Sequence, residues 1–311
     1  KVAIARAAAE EVLGKDERII SVDSSYSDGE GSSYRLISNG FEGESKSTWF
    51  SVSASVSIKG EGEARPQDYW YDSALFYDKL TKTGIGAKAL ERVLRKLGQK
   101  KAKSGKYTMV VDPMNVGNLL SPMLSALYGS ALQQKNSFLM DKLDAKVASD
   151  LFTLRDEPHV IGANGSRYFD NEGVATEPRT VFDKGVLKTY FIDTYNGKKM
   201  NMAPTISTPS RLILAPGDKD LNGLVADVKQ GILVTGFNGG NSNSSTGDFS
   251  YGIEGFLIED GKLTQPVNEM NVTGNMVALW NSLVAVGNDP QPNRSWQIPS
   301  LVFEGVDFSG L

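Results

Sequence analysis

Between Ser51 and Ile58 apolar and polar residues alternate without interruption. Val52, Ala54, Val56 and Ile58 share one face of an extended chain and the serines between them share the other, the pattern of a strand with one buried and one wet face. Asn39-Gly40, just after Tyr34–Ser38, is a turn signal between strands. Two segments on either side switch to a helical period. Ile4, Ala8 and Val12 recur every four residues within 3–13, before Gly14. Leu90, Val93, Leu94 and Leu97 form the apolar stripe of a second helix over 85–97, ended by Gly98.

From Gln99 to Lys106 the apolar period disappears and the chain turns basic. A domain boundary belongs there, giving an α+β region at 1–105 and a β-rich region at 106–311. Tyr107–Val111 reads as a buried strand, followed within 117–133 by a helix whose apolar face is Leu119, Leu120, Met123, Leu124, Leu127 and Tyr128. Pro122 lacks an N–H, so Ser121-Pro122 is expected to cap and start that helix. Beyond Thr180 strands and tight turns dominate. They include Val186–Ile192, Arg211–Leu214, Ile232–Phe237 and a hairpin of 249–258 with 262–267 around Asp260-Gly261. Short helices are expected at 221–228 and, with Met276, Leu279, Trp280, Leu283 and Val284, near the end. The fold class is α+β, with mixed, mainly antiparallel sheets and packed helices in two domains.

Composition narrows the function classes. The 311 residues are 40% hydrophobic and 23% charged, with a net charge of −4, a balance that offers no long-range attraction to nucleic acid or anionic membrane. No run approaches the ~18 apolar residues that a spanning helix needs. Lys1 in the place of a methionine predicts that further residues precede this segment. The chain has no cysteine and one histidine, so disulfides, thiolates and any metal site with two imidazoles are excluded. Arg95, Lys96, Lys100, Lys101, Lys103 and Lys106 form the densest basic stretch, read as a solvated helix end and linker.

Few constellations promise chemistry. Asn238-Gly-Gly-Asn-Ser-Asn-Ser-Ser-Thr-Gly247 is rich in glycine but holds no lysine and precedes strand-like residues, so it reads as a polar connection rather than a phosphate cradle. As a long loop it can shape a groove, with Asn238, Gly239, Gly240 and Asn241 as the candidate peptide-contacting residues. Asp156-Glu157 and Asp170 with Glu172 read as turn carboxylates, and His159 beside Pro158 as a surface histidine. No G-x-S-x-G stretch is present to carry a serine nucleophile.

The second half carries a series of short blocks in a fixed order: Phe169-Asp-Asn-Glu-Gly-Val-Ala-Thr-Glu-Pro-Arg179 with Gly185-Val-Leu-Lys-Thr-Tyr190, then Thr246-Gly-Asp-Phe-Ser250, Gly255-Phe256 and Ile258-Glu-Asp-Gly261, then Val286-Gly-Asn-Asp289 and Pro299-Ser300. Together they resemble the TldD/PmbA family, whose older label is modulator of DNA gyrase. Residues 1–105 are similar to that family's middle region, and Asp68-Tyr-Trp-Tyr71 fits its PmbA-like (TldE) branch. In TldD-like members the helix after the 107–111 strand bears an HExxxH motif. Its two histidines and a distant cysteine hold zinc, and its glutamate is the general base for hydrolysis of a peptide. The resemblance lays those positions on Ser121, Pro122 and Ala126, none of which can fill the role.

What the resemblance implies is a cytoplasmic, non-catalytic subunit with no cofactor of its own. Its partner would be a TldD-like, HExxxH-bearing subunit that carries the zinc, and the substrate an unfolded peptide held on a strand edge. The alternatives are a stand-alone, self-associating peptide-binding protein, or an enzyme with a non-metal site. Neither nucleic acid nor membrane is an expected partner.

Overall fold

The alternating segment becomes the middle strand of a three-stranded antiparallel sheet. The computed structural model describes residues 1–311, which divide into Lys1–Gln99 and Lys100–Leu311. In the first unit, helix α1 (Val2–Glu10) precedes strands β1 (Ile19–Leu36), β2 (Glu42–Ile58) and β3 (Gln67–Ala74), and helix α2 (Ile85–Leu94) follows them. The sheet runs in the order β1-β2-β3. Val52, Ala54, Val56 and Ile58 are buried against Ala8, Val12, Ile85, Ala89 and Val93 of the helical segments. The opposite face stays polar, where Ser25 and Ser53 bond across the strands at 2.8 Å.

The two helices of this unit touch almost backbone to backbone. A Cβ on Gly86 would lie 1.9 Å from the Ala8 carbonyl oxygen, so only glycine fits there. Glu11, just past α1, accepts N–H bonds from Gly84, Gly86 and Ala87 at 2.7, 2.8 and 3.2 Å. One carboxylate thereby satisfies the open N–H groups of the first turn of α2 and meets the positive end of its dipole.

The second unit opens with β4 (Gly105–Val111), then helices α3 (Gly117–Ser125) and α4 (Gly129–Gln133). Strands β5 (Leu154–Asp156), β6 (Arg179–Asp183) and β7 (Val186–Leu187), helix α5 (Thr194–Met200), strand β8 (Leu212–Leu214) and helix α6 (Leu221–Ala226) come next. The chain ends with β9 (Gln230–Ser242), β10 (Asp248–Glu259), β11 (Lys262–Asn275), α7 (Met276–Asn281), β12 (Leu283–Val286), β13 (Trp296–Gln297) and β14 (Leu301–Ser309). One sheet runs β11-β10-β9-β4-β14-β12, and a further ladder between β11 and β14 closes five of its strands into a ring. A smaller sheet runs β13-β8-β5-β6-β7. The architecture is α+β, with antiparallel ladders throughout except for β4–β9 and β8–β13.

Three local expectations give way. The 117–133 helix is two helices, and Ser121 does not cap it: Val116 takes that place, and Pro122 lies inside α3. Proline has no N–H for the carbonyl four residues back, and α3 ends three residues later in a tight turn from Leu127 N–H to the Leu124 carbonyl. Leu283 and Val284 leave the last helix for β12, and Val186–Ile192 is a strand only at its first two residues.

Two substitutions test this packing. Gly86→Ala should destabilise the protein by at least the 1–3 kcal/mol of an overpacked core site, because the obstructing atom is backbone. Leu124→Ala, at a side chain 1% exposed, should cost about 2–5 kcal/mol. Urea unfolding of both variants reads the two costs.

Candidate functional site

Strand β4 delivers the chain to α3 through a turn built on Asp112. This carboxylate, 4% exposed, accepts from the Asn115 backbone N–H at 3.0 Å and from Asn115 Nδ2 at 2.6 Å. Asn115 Nδ2 also donates to the Thr235 carbonyl of β9 at 2.8 Å, which ties the start of α3 to that strand. Trp280, fully buried, donates from Nε1 to the Leu119 carbonyl at 3.4 Å and packs against Phe152, the rings tilted with centroids 4.4 Å apart. On the helix so fixed, Ser121 is exposed, Pro122 half-buried and Ala126 buried.

Strand β9 is longer than its parallel neighbour. β4 pairs with Gly231–Val234 and goes no further, whereas β10 pairs with β9 as far as Ser242. From Gly236 to Ser242, therefore, β9 has a ladder on one side and an open edge on the other. Asn238, Gly239, Gly240 and Asn241 lie on this stretch, exposed. They belong to a strand, not to the loop expected from composition; only 243–247 form the connection. The glycines misled because they bulge the strand: φ is +70° at Gly239 and +92° at Gly240. A Cβ on Gly240 would lie 2.1 Å from the Ser250 carbonyl oxygen. Phe237 and Tyr251, ring centroids 5.7 Å apart, give the root of the edge an aromatic floor.

The sequence blocks quoted above are joints. Asp170, 2% exposed, accepts from the N–H groups of Glu172 and Val174 and from both the N–H and hydroxyl of Ser207. Burial pushes its carboxyl up, but the bonds from Ser207, Val174 and Glu172 together outweigh burial and hold it below its ordinary value. Glu172 in turn accepts from Thr194 N–H at the start of α5. Asp289 accepts from the N–H and hydroxyl of Ser300 and from Leu221 N–H, so the two parts of the closing block hold each other. Asp248 takes bonds from Thr246 Oγ1 and Asn275 Nδ2. His159 is exposed and touches Thr176 Oγ1 at 3.1 Å.

Comparison with known proteins decides the family. The model of the PmbA/TldA metallopeptidase C-terminal domain matches residues 104–310, and that of the central domain matches residues 1–97. The chain belongs to the TldD/PmbA family. It is 30% identical over 312 residues to the metalloprotease PmbA homolog of Haemophilus influenzae, covering 99% of this chain and 69% of that protein. Two Buchnera aphidicola PmbA homologs are spanned over 60% and 51% of their lengths. A crystal structure of a Bacteroides thetaiotaomicron protein named as a candidate modulator of DNA gyrase shares 74% identity at a TM-score of 0.99, over 100% of this chain and 71% of that one. Thermococcus kodakarensis TldE shares the fold, with a TM-score of 0.83 at 22% identity, over 99% of this chain and 73% of that one.

The metalloprotease relatives raise the question of a metal in this TldD/PmbA chain. Ser121, Pro122 and Ala126 offer no imidazole, thiolate or carboxylate, and nowhere do three or more His, Cys, Asp or Glu side chains gather as a metal-holding group. The donor set does not fit zinc.

Asp170 makes one joint testable by pH. Because its folded-state carboxyl titrates below the ordinary value, its stabilisation is present above the ordinary carboxylate range and is lost as pH falls through the folded value. Asp170→Asn should lower stability at neutral pH by about 1–3 kcal/mol and flatten the acid limb. Unfolding free energies of both proteins, measured from neutral pH down into the acid limb, check the sign.

Proposed function

We propose that this chain is the non-catalytic, peptide-holding subunit of a TldD/TldE-type peptidase, a cytoplasmic assembly whose zinc sits in an HExxxH-bearing partner. The observation that carries the reading is the open edge of β9, Gly236–Ser242, rooted beside the start of the helix that bears Ser121, Pro122 and Ala126. An extended peptide adds to such an edge through main-chain hydrogen bonds, which require no particular peptide sequence. Glycine at Gly236, Gly239 and Gly240 leaves that backbone unshielded. The chain's own contribution is then to align the substrate, while its partner supplies metal-activated water.

Three assays on an unstructured peptide test this, using the chain alone, an HExxxH-bearing homologue alone, and the mixture. Strong, chelator-sensitive cleavage should appear only in the mixture. Cleavage by this chain alone, unaffected by chelator, would overturn the assignment in favour of an independent enzyme. Placing lysines on the edge, Asn238→Lys with Asn241→Lys, should leave folding intact because both side chains are exposed, and should weaken peptide binding at least tenfold by blocking strand addition. Unchanged affinity in that variant would remove β9 as the binding edge.

A further inference from the structure

Asparagine followed by glycine is a chemically labile pair, because a glycine nitrogen has no side chain beside it to hinder attack on the asparagine Cγ. The chain holds five such pairs: Asn39-Gly40, Asn164-Gly165, Asn196-Gly197, Asn222-Gly223 and Asn238-Gly239. Four of them are held by the fold. Gly40 donates its N–H to the Ile37 carbonyl at 2.9 Å, and Asn39 Oδ1 accepts from Phe41 N–H at 3.0 Å. Asn164 donates from Nδ2 to the Asn293 carbonyl, and a Cβ on Gly165 would lie 2.4 Å from the Ser210 carbonyl oxygen. Asn196, 8% exposed, donates from Nδ2 to Asp193 Oδ2 at 2.6 Å, while Gly197 N–H bonds to the Asp193 carbonyl at 2.9 Å. Gly223 N–H bonds to the Asp220 carboxylate at 2.8 Å in the first turn of α6. In each pair the attacking nitrogen, the amide under attack, or both must be released by local opening before they can meet.

Asn238-Gly239 differs from the other four. Asn238 is exposed, and no hydrogen bond holds its side chain. Its partner across the ladder is Gly252, and Gly236 lies two residues before it, so neither position supplies a side chain to shield it. β10 pairs with Asn238 through Gly252 and with Gly240 through Tyr251, and skips Gly239. That glycine is the extra residue of a bulge. Its backbone is left-handed at φ +70°, with nothing within 4 Å of where a Cβ would stand. A bulge residue is released from the ladder that fixes its neighbours, and β4 does not reach this stretch from the other side.

We propose that Asn238 is a site of self-modification by deamidation. A bond forms between Gly239 N and Asn238 Cγ, closing a succinimide ring. The bond from Cγ to Nδ2 breaks, and the Gly239 proton leaves with Nδ2 as ammonia. Water, the only co-reactant, then opens the ring. Addition at the Cγ carbonyl restores the original main chain and leaves aspartate. Addition at the backbone carbonyl leaves isoaspartate, in which the main chain runs through Cγ and is one atom longer. Either product puts a carboxylate on an edge that has no charge between Gly236 and Ser242. Isoaspartate also displaces the main-chain donors and acceptors beyond it, so an added strand loses its register. On the reading of β9 as a peptide-holding edge, the modification closes that edge with age; the chemistry at Asn238 does not depend on that reading.

Peptide mapping by mass spectrometry tests the site, on the full chain kept in warm, mildly alkaline buffer made with heavy-oxygen water. Asn238 should exchange its amide for one heavy oxygen about tenfold faster than any other Asn-Gly pair, because the others must first open locally. In the chain unfolded by urea the rates of all the pairs should come together. Asn238→Gln, which would have to close a larger ring, should abolish the change at that position. A rate at Asn238 in the folded chain no greater than at the other pairs overturns the proposal. Affinity for an unstructured peptide, measured before and after ageing, separates the consequence from the reading beneath it. The aged chain should bind more weakly than the fresh one, whereas aged Asn238→Gln should bind as it did when fresh. Modified chain that binds as tightly as fresh chain overturns the closing of the edge. Fresh chain that binds no peptide overturns the β9 reading and leaves the modification to stand on its mass-spectrometric rate.

Discussion

The parallel pairing of β4 with β9 is the constraint on which the larger unit rests. β4 is seven residues long and β9 thirteen. β4 is buried on both sides: Tyr107, Met109 and Val111 enter the main core, while Val110 joins Leu224, Val225, Val228, Leu233 and Val302 in a separate cluster under α6. Buried on both faces, a parallel strand reads as a continuous apolar run, as Met109–Val111 does. Because β4 must stop at Asp112 to feed α3, and β9 must continue to meet β10, the stretch Gly236–Ser242 has a strand on one side only. The open edge follows from that mismatch rather than from any local disorder of the chain.

Carboxylates accepting backbone N–H groups hold the rest together. Glu11 caps α2, Asp112 shapes the entry to α3, Asp170 fastens the 170–174 turn to Ser207, and Asp289 fastens Ser300 to the start of α6. Such joints do not require a paired cation: the N–H dipoles carry the compensation. Asp156 and Asp170 show the balance tipping both ways. Both are almost fully buried, yet for Asp156 burial prevails and its carboxyl is raised, whereas for Asp170 the hydrogen bonds prevail and it is lowered. Most surface ion pairs, such as Lys188 with Asp144 or Lys106 with Asp307, join exposed side chains and add little by comparison.

Elements whose pattern is set by one flat or one striped interface were legible in the sequence. The alternation of β2, the stripe of α2 and the turns at Asn39-Gly40 and Asp260-Gly261 all fall where periodicity puts them. Misreadings arose where tertiary contacts override a local signal. Pro122 is tolerated inside α3 because Leu119, Leu120, Met123 and Leu124 are all buried in the main core. Gly239-Gly240 looked like loop composition but serves a bulge that β10 holds in register. The family blocks were visible because each is a short run of sequence, although the joints they make reach further, Asp170 to Ser207 and Asp289 to Leu221. A polar cavity lined by Asn164, Arg167, Ser210 and Arg294 was not, because no window of sequence contains those residues together.

An open strand edge is ordinarily a liability, since it invites pairing with any other exposed strand. The β9 edge is guarded, and the manner of guarding bears on its use. A charged or proline-bearing edge repels every strand, including a substrate. β9 instead carries Asn238 and Asn241 around a glycine bulge, with no charge between Gly236 and Ser242. The bulge twists the edge and limits a flat, many-residue ladder, while the polar, uncharged side chains remove the hydrophobic gain that drives aggregation. Short main-chain pairing remains available to a single extended peptide. An edge that only needed protection would be better served by lysine; one that must admit a peptide and refuse a second sheet is better served by asparagine and glycine.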